Sequence, residues 1–112
     1  MSAITTHVLD TASGRPAAGV PVTLERHQDG DWIEIARGET NADGRIADWL
    51  SSEPVDRGTY RITFDTGSYF KSRQETGFYP FVPVVFAITS PEEHHHVPLL
   101  LNPFGYSTYR GS

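Results

Sequence analysis

The sequence predicts an all-β protein, a mainly antiparallel β-sandwich with one short helix. Apolar residues alternate with polar ones at the two-residue period of a strand. Turn signals recur at short, regular intervals between these segments, a pattern typical of sandwiches and small barrels. The length of 112 residues fits a single domain, residues 1–112, that can bury a core of its own.

Six segments carry the strand pattern. Alternation is clearest over residues 20–24 and 60–64, where every second side chain is apolar. Val82–Ile88 is a continuous apolar run rich in β-branched residues, which predicts a strand buried on both faces. The remaining predicted strands are residues 4–9, 32–36 and 94–101. Only residues 67–74 have the composition for a turn or two of helix.

Four turn signals separate the strands, and each contains glycine. They are Ser-Gly-Arg-Pro at 13–16, Asp-Gly-Asp at 29–31, Asn-Ala-Asp-Gly at 41–44 and Asp-Arg-Gly at 56–58. Glycine adopts positive φ without steric cost, and Asn or Asp side chains cap their own backbone, so these segments predict tight connections.

Composition excludes several classes of function. A formal net charge of −5 disfavours nucleic acid and anionic membrane surfaces as partners. The absence of cysteine rules out disulfides and thiolate metal sites. The first ten residues have no signal-peptide pattern, and no apolar stretch approaches the ~20 residues of a membrane span. We therefore expect a soluble cytoplasmic protein without a membrane partner.

The run His94-His95-His96 is the first candidate for chemistry. On a strand, His94 and His96 project from one face and His95 from the other. Two histidines at this spacing can bind a metal ion, yet no cysteine or suitably spaced carboxylate supplies a third ligand. An exposed histidine run without function is the alternative to a metal site.

His7 and Arg45 are the other candidates, and each, taken alone, is better explained by a structural role than by catalysis. His7 shares a strand face with Thr5 and Leu9, and Arg45 follows the turn at Asp43-Gly44. The sequence has no Gly-x-Ser-x-Gly nucleophile motif and no phosphate-binding glycine loop. An enzyme built on this chain would therefore activate water through histidine, whose pKa is near neutrality.

The last seven residues, 106–112, are all polar, aromatic or glycine. Tyr106 and Tyr109 offer apolar area that could hold the segment in place, often at a subunit interface. A carboxylate at Ser112 next to Arg110 could orient an imidazole or a substrate. The alternative is a disordered polar tail.

Two sets of motifs carry a resemblance to known proteins. GRPAAGVPVTLE (14–25), TNADGRI (40–46) and RGTYRITF (57–64) resemble the transthyretin-like, or prealbumin-like, superfamily of β-sandwiches. A narrower set, THVLDTASGRPAAGVPV (6–22), FDTGSYF (64–70), FYPFV (78–82) and HHHVPLLLNPFGYSTYRGS (94–112), closely resembles the 5-hydroxyisourate hydrolases, transthyretin-related enzymes of urate degradation. The terminal Tyr-Arg-Gly-Ser is the hallmark of that family, and transthyretin lacks it.

The resemblance implies hydrolysis of 5-hydroxyisourate at a cyclic amide, giving 2-oxo-4-hydroxy-4-carboxy-5-ureidoimidazoline, with neither cofactor nor metal. It also implies a homotetramer, a dimer of dimers, with active sites where the dimers meet and the C-terminal segment completing each site. The catalytic residues it implies are His7, Arg45, His96 and Ser112. The substrate-binding residues it implies are Tyr109, Arg110 and Gly111.

One position departs from the family pattern. The family commonly has tyrosine where this chain has His95, which leaves His96 on its expected face but changes the packing on the opposite face. Two other functions remain open: a transthyretin-like module that binds a small molecule without turnover, and a surface or interaction domain. A metal site at His94 and His96 is the weakest alternative, testable with a chelator.

Overall fold

The computed structural model describes residues 3–46, 48–50 and 55–112; the other residues of the predicted domain lie outside this range. Within it, the chain forms one helix and nine strands. They are β1 Ile4–Asp10, β2 Arg15–Pro16, β3 Pro21–Gln28, β4 Asp31–Glu39, β5 Arg45–Ile46, β6 Gly58–Phe64, α1 Thr66–Ser72, β7 Val82–Ile88, β8 His95–Asn102 and β9 Gly105–Thr108. The predicted all-β fold with one short helix is confirmed.

The strands form two sheets with a shared core. One sheet has the order β2-β1-β8-β9, with β5 also pairing with β1, and the other has the order β4-β3-β6-β7. Alternate side chains of β3, β6 and β8 are fully buried, including Leu24, Ile62 and Leu99. Burial of each such side chain stabilises the fold by about 1.5–3 kcal/mol. The predicted two-residue alternation therefore marks the faces that meet in the core.

The prediction that Val82–Ile88 is buried on both faces is wrong for the single chain. Val84 faces the core with 8% of its surface exposed, whereas Val85 on the opposite face is 58% exposed. The strand β7 lies at the edge of its sheet, paired only with β6 in the described part of the chain. Its outer side chains, Pro83, Val85 and Ala87, are exposed, so no described part of the chain covers this face.

Most strand pairs are antiparallel, as predicted, but β1 and β8 pair in parallel along seven residues, from Ile4 opposite His95 to Asp10 opposite Leu101. A hairpin cannot join parallel strands, and here almost the whole chain forms the connection between them. This pairing brings the first strand and the histidine run into adjacent positions. It is the pairing that positions the candidate site.

The helix α1 is anchored to the first sheet by a buried polar contact. Asp65 caps the helix by accepting a hydrogen bond from the backbone N–H of Ser68 at 3.1 Å. Tyr69 then donates its hydroxyl to Asp10 Oδ2 at 2.8 Å, and burial raises the pKa of Tyr69 to about 12.

No helix in the described residues is long and apolar enough to cross a membrane.

A tight turn at residues 41–44 delivers Arg45 to the sheet. The Asn41 side chain accepts hydrogen bonds from the backbone N–H groups of Asp43 and Arg45, at 2.9 and 3.0 Å. Gly44 adopts φ +74°, and its carbonyl accepts from the N–H of Val8 at 2.7 Å. A Cβ on Gly44 would lie 2.5 Å from the Val8 oxygen, so the turn requires glycine both for its φ and for its close approach to β1.

We predict that Gly44→Ala destabilises the protein more than Gly14→Ala does. The two glycines have φ of +74° and +73°, but a Cβ on Gly14 meets nothing within 4 Å. The αL strain of about 1–2 kcal/mol is common to both variants, so the difference isolates the clash with β1. Urea unfolding followed by circular dichroism measures it, and equal midpoints for the two variants would contradict the prediction.

Candidate active site

The β1–β5–β8 arrangement places three of the predicted residues on neighbouring strands. His7 is the register partner of Arg45 on β5 and of Pro98 on β8. His96 lies two positions before Pro98 on β8, opposite Thr5. Because side chains two residues apart share a face of a strand, His7 and His96 lie on the same face of the sheet.

Thr5 contacts two histidines near the start of β8, His94 and His96. Its hydroxyl oxygen lies 2.9 Å from His94 Nε2 and 2.8 Å from His96 Nδ1. The hydroxyl is within hydrogen-bonding distance of both rings at once, which fixes the orientation of each imidazole. Thr5 was not among the predicted site residues, and His94 was considered only as a ligand of the alternative metal site. The predicted shared face of Thr5 and His7 was the signal that could have identified Thr5.

A cavity of 220 Å³ opens beside these residues. It is lined by Thr5, Thr6, Arg45, Ile46, His94, His96 and Ser112. Six of the seven carry a side-chain nitrogen or hydroxyl: a guanidinium, two imidazoles, a serine hydroxyl and the hydroxyls of Thr5 and Thr6, which are already hydrogen-bonded within the protein. Such a concentration of polar groups in a small concave site is characteristic of ligand-binding sites.

The C-terminal segment reaches this cavity through Gly111. The backbone N–H of Gly111 donates to the carbonyl of His96 at 2.8 Å, forming an isolated antiparallel bridge. A Cβ at Gly111 would lie 2.5 Å from Cδ2 of the His96 ring, so glycine is required for this approach. The bridge leaves Ser112 at the cavity wall.

Tyr109 and Arg110, which follow β9, do not line this cavity. They line a separate cavity of 260 Å³ with residues of β7 and β8, among them Val84, Phe86 and Val97. Tyr109 is 56% exposed, and Arg110 makes a long ion pair, 3.7 Å, with Glu93. In the single chain, the structure therefore brings His96, Arg45 and Ser112 together but places these two predicted substrate-binding residues elsewhere.

His95, which stands where the resembled family commonly has tyrosine, faces away from the candidate site. It is only 5% exposed and lines the cavity that contains Tyr109, and its buried Nδ1 has no hydrogen-bond partner among the residues that the structure describes. The change from the family pattern therefore affects the packing between β8 and β7 rather than the face that carries His96.

Electrostatics keep both candidate histidines neutral near pH 7. Burial lowers the pKa of His96 below its ordinary value of 6.5, and the charge of Arg45 lowers it further. Burial and Arg45 also lower the pKa of His7, although the carbonyl and charge of Asp43 oppose the shift. A neutral imidazole has a lone pair that can accept a proton, so either ring can act as a general base.

The chemistry available to this site is acid–base chemistry beside a fixed positive charge. Arg45 can bind carbonyl oxygens and stabilise negative charge that develops on them. Among residues 3–46, 48–50 and 55–112, no three His, Cys, Asp or Glu side chains are grouped so as to hold a metal ion.

Comparison with known proteins now adds to the geometry. The sequence profile of the HIUase/Transthyretin family matches residues 4–111. The chain belongs to this family. Its predicted transthyretin-like fold and its predicted relationship to the hydroxyisourate hydrolases are thereby confirmed.

Individual relatives fall into two groups. The mouse 5-hydroxyisourate hydrolase is 49% identical over 99% of this chain and 96% of its own length. The solved structure of the Klebsiella pneumoniae 5-hydroxyisourate hydrolase is 38% identical, covers 97% of this chain and 98% of its own, and has a TM-score of 0.85. Sea bream transthyretin in complex with thyroxine is 34% identical over 98% of this chain and 95% of its own, with a TM-score of 0.91. Backbone similarity does not separate the two groups, so the residues of the site must.

We predict that Arg45→Gln raises the pKa of both His7 and His96, because it removes the positive charge that lowers them. Histidine ring proton chemical shifts, followed by NMR from pH 5 to 8, measure the change. Arg15→Gln, an exposed change on β2, is the control. Unchanged titration of both rings in Arg45→Gln would contradict the prediction.

The same shifts set the sign of the pH dependence of stability. The folded-state pKa of each ring lies below the unfolded value of 6.5, so the unfolded state binds more protons in between. The free energy of unfolding is therefore not reduced by these two histidines above about pH 6.5. It falls as the pH is lowered from there through the folded-state pKa values of His7 and His96. Arg45→Gln should reduce this fall.

Proposed function

We propose that this chain is a 5-hydroxyisourate hydrolase that converts its substrate to 2-oxo-4-hydroxy-4-carboxy-5-ureidoimidazoline in urate degradation. The observation that carries the proposal is the position of Arg45, His96 and Ser112 around one cavity, with His7 paired to Arg45. The identity of 49% to the mouse 5-hydroxyisourate hydrolase supports the same activity.

In the proposed reaction, water attacks a carbonyl carbon of the substrate ring, the adjacent C–N bond breaks, and the departing nitrogen takes up a proton. His7 and His96 form the acid–base pair: one neutral ring accepts a proton from the attacking water, and the imidazolium so formed, directly or through the other ring, provides the proton for the departing nitrogen. Their lowered pKa values support this role, because a base must be neutral at the working pH. Which ring acts first is a property of the pair.

Arg45 supplies the electrostatic part of the proposed mechanism. Its guanidinium lines the cavity and can donate two parallel hydrogen bonds to substrate carbonyl oxygens. As water attacks, one of these oxygens gains negative charge. The fixed cation therefore stabilises the transition state more strongly than it stabilises the neutral ground state. Ser112 orients the water or an imidazole from the cavity wall.

The proposal includes a cytoplasmic homotetramer, a dimer of dimers with the sites where the dimers meet. The exposed outer face of β7, with Val85 58% exposed, supports association, since such a face gains stability when covered. Tyr109, Arg110 and Gly111 bind substrate in this proposal. Since Tyr109 and Arg110 face a different cavity in the single chain, their contact with substrate depends on the assembled tetramer.

A binding module without turnover is the second candidate. The TM-score of 0.91 to sea bream transthyretin in complex with thyroxine supports it, although backbone similarity alone does not separate such a module from a hydrolase. Against it stands the combination of His7, Arg45 and His96 on one face. A neutral pair of imidazoles beside a cation is suited to moving protons.

We expect His7→Ala, Arg45→Ala and His96→Ala each to lower kcat/KM by about 10²–10⁴-fold while leaving a folded protein. The measurement is the ultraviolet-monitored decay of 5-hydroxyisourate, generated in situ from urate with urate oxidase. His27→Ala is the control, because His27 is exposed on β3 and packs against Trp32, away from the site.

A wild-type protein that is folded and does not accelerate the decay would overturn the proposal in favour of the binding module. Full activity in His96→Ala would remove that ring from the mechanism.

Deletion of residues 109–112 provides a separate test of the C-terminal segment. The segment contacts the rest of the chain mainly through the Gly111–His96 bridge, so its loss removes little buried area. We expect activity to fall at least about 10²-fold while the midpoint of thermal unfolding shifts by only a few degrees, on the order of a 1 kcal/mol loss. Ser112→Ala gives the contribution of its hydroxyl alone. A fully active deletion variant would exclude the segment from the site.

A further inference from the structure

The mechanism above leaves one well-positioned hydroxyl without a role. Thr5 is 8% exposed, and its Oγ1 lies within 2.9 Å of one ring nitrogen of His94 and one of His96. His94 is exposed to solvent, whereas His96 is half-buried at the cavity. A nearly buried hydroxyl therefore joins an outer imidazole to an inner one.

Counting hydrogens limits the arrangements of this triad. A threonine hydroxyl carries one hydrogen, so it can donate to only one of the two rings. The other ring nitrogen must carry a hydrogen itself, since otherwise two lone pairs would face each other at under 3 Å. If both nitrogens carried hydrogens, the Thr5 hydroxyl would have no acceptor, because no other hydrogen bond of its side chain is found in the described residues. The two rings are therefore locked into opposite roles.

The charge of Arg45 selects between the two opposite arrangements. Thr5 contacts Nδ1 of His96, so the second nitrogen of that ring, Nε2, is left for the cavity that Arg45 lines. If Thr5 donated to His96, Nε2 would carry the hydrogen and present positive charge towards a guanidinium. If Thr5 donates to His94 instead, Nε2 of His96 presents a lone pair towards the guanidinium, whose positive charge attracts it. The exposed His94 is satisfied by solvent in either case.

We propose that Thr5 and His94 are positioning residues that fix the tautomer of His96. His96 donates Nδ1–H to Thr5 Oγ1, Thr5 donates its hydroxyl to His94 Nε2, and His94 carries its own hydrogen on Nδ1 towards solvent. Nε2 of His96 then always presents a lone pair to the cavity, which is the form that accepts a proton from water. The catalytic value of this arrangement rests on the proposed function, whereas the tautomer itself does not.

His94 has a distinct part in this arrangement. As long as it accepts from Thr5, the hydroxyl hydrogen points away from His96. Without that acceptor, the hydroxyl turns and donates to Nδ1 of His96, which moves the ring hydrogen to Nε2 and blocks the base. Removing Thr5 takes away the acceptor of the His96 Nδ1–H itself, so the ring hydrogen is again better placed on Nε2, which faces the cavity. Both changes should therefore have the same effect on His96, although of the two residues only Thr5 contacts it.

The test is ¹⁵N–¹H long-range correlation NMR on ¹⁵N-histidine-labelled full-length protein, which assigns the hydrogen to Nδ1 or Nε2 of each ring. We expect the Nδ1–H tautomer of His96 in the wild type and in Thr5→Ser, which keeps the hydroxyl. We expect the Nε2–H tautomer in the isosteric Thr5→Val and in His94→Leu. His27→Leu is the control for loss of an exposed histidine and should leave His96 unchanged.

Kinetics on the same proteins complete the test. In Thr5→Val and His94→Leu, kcat should fall at least about tenfold with KM changed by less than about threefold, since Arg45 and Ser112 still line the cavity and the main change is to the base. Thr5→Ser, which keeps the hydroxyl, should keep the wild-type rate. A wild type with His96 as the Nε2–H tautomer, or variants that keep both the Nδ1–H tautomer and the rate, would overturn the proposal.

The two proposals can fail separately. The tautomers are measured without substrate, so an inactive wild type with the expected tautomer shifts would reject the hydrolase function and support the arrangement. An active wild type whose Thr5→Val and His94→Leu variants keep tautomer and rate would reject the arrangement and support the hydrolase function.

Discussion

The parallel pairing of β1 with β8 is the constraint on which the rest of the site depends. It holds seven residues of each strand in one register and sets Thr5 opposite His96 and His7 opposite Pro98. Since side chains alternate between faces, a slip by one residue would turn His96 into the core and His95 out. The core residues of both strands prevent that slip, because Val8 and Leu99 would then be exposed. The hydrophobic core thus fixes the chemistry of the opposite face.

Much of this fold could be predicted from local patterns. Alternation identified the core strands, and glycine turns identified where the chain reverses, as at Asp29-Gly30, where both residues have positive φ. Three short strands were missed: β2 and β5, which have only two residues each, and β9, whose four residues are half-buried or exposed. None of them has an alternating pattern, because each exists only through pairing with a neighbour. The outer face of β7 was misjudged because an apolar run does not reveal whether the same chain covers it.

Some features of the candidate site could likewise be predicted from the sequence, and others could not. The face shared by His94 and His96, and the position of Arg45 after a turn, follow from the sequence. The hydrogen bonds of Thr5 do not, because they require the register between strands about 90 residues apart. The sequence also gave no sign that the C-terminal segment divides, with Gly111 and Ser112 at one cavity and Tyr109 at another. That division depends on a single backbone bridge.

The β1–β8 pairing also has a consequence for how the molecule comes into existence. The Thr6 hydroxyl donates to the carbonyl of Val97 across 91 positions, so the first sheet gains its central contact only when both ends of the chain are available. Contacts at such separation slow folding, because the entropy of closing the loop is lost before the contact stabilises anything. During synthesis β1 can pair early with the short strands β2 and β5, but β8, its long partner, emerges much later, and the second sheet, built from closer segments, can form before that. The cavity is therefore among the last parts of the molecule to appear, and a nascent chain has no site until its final strands have left the ribosome.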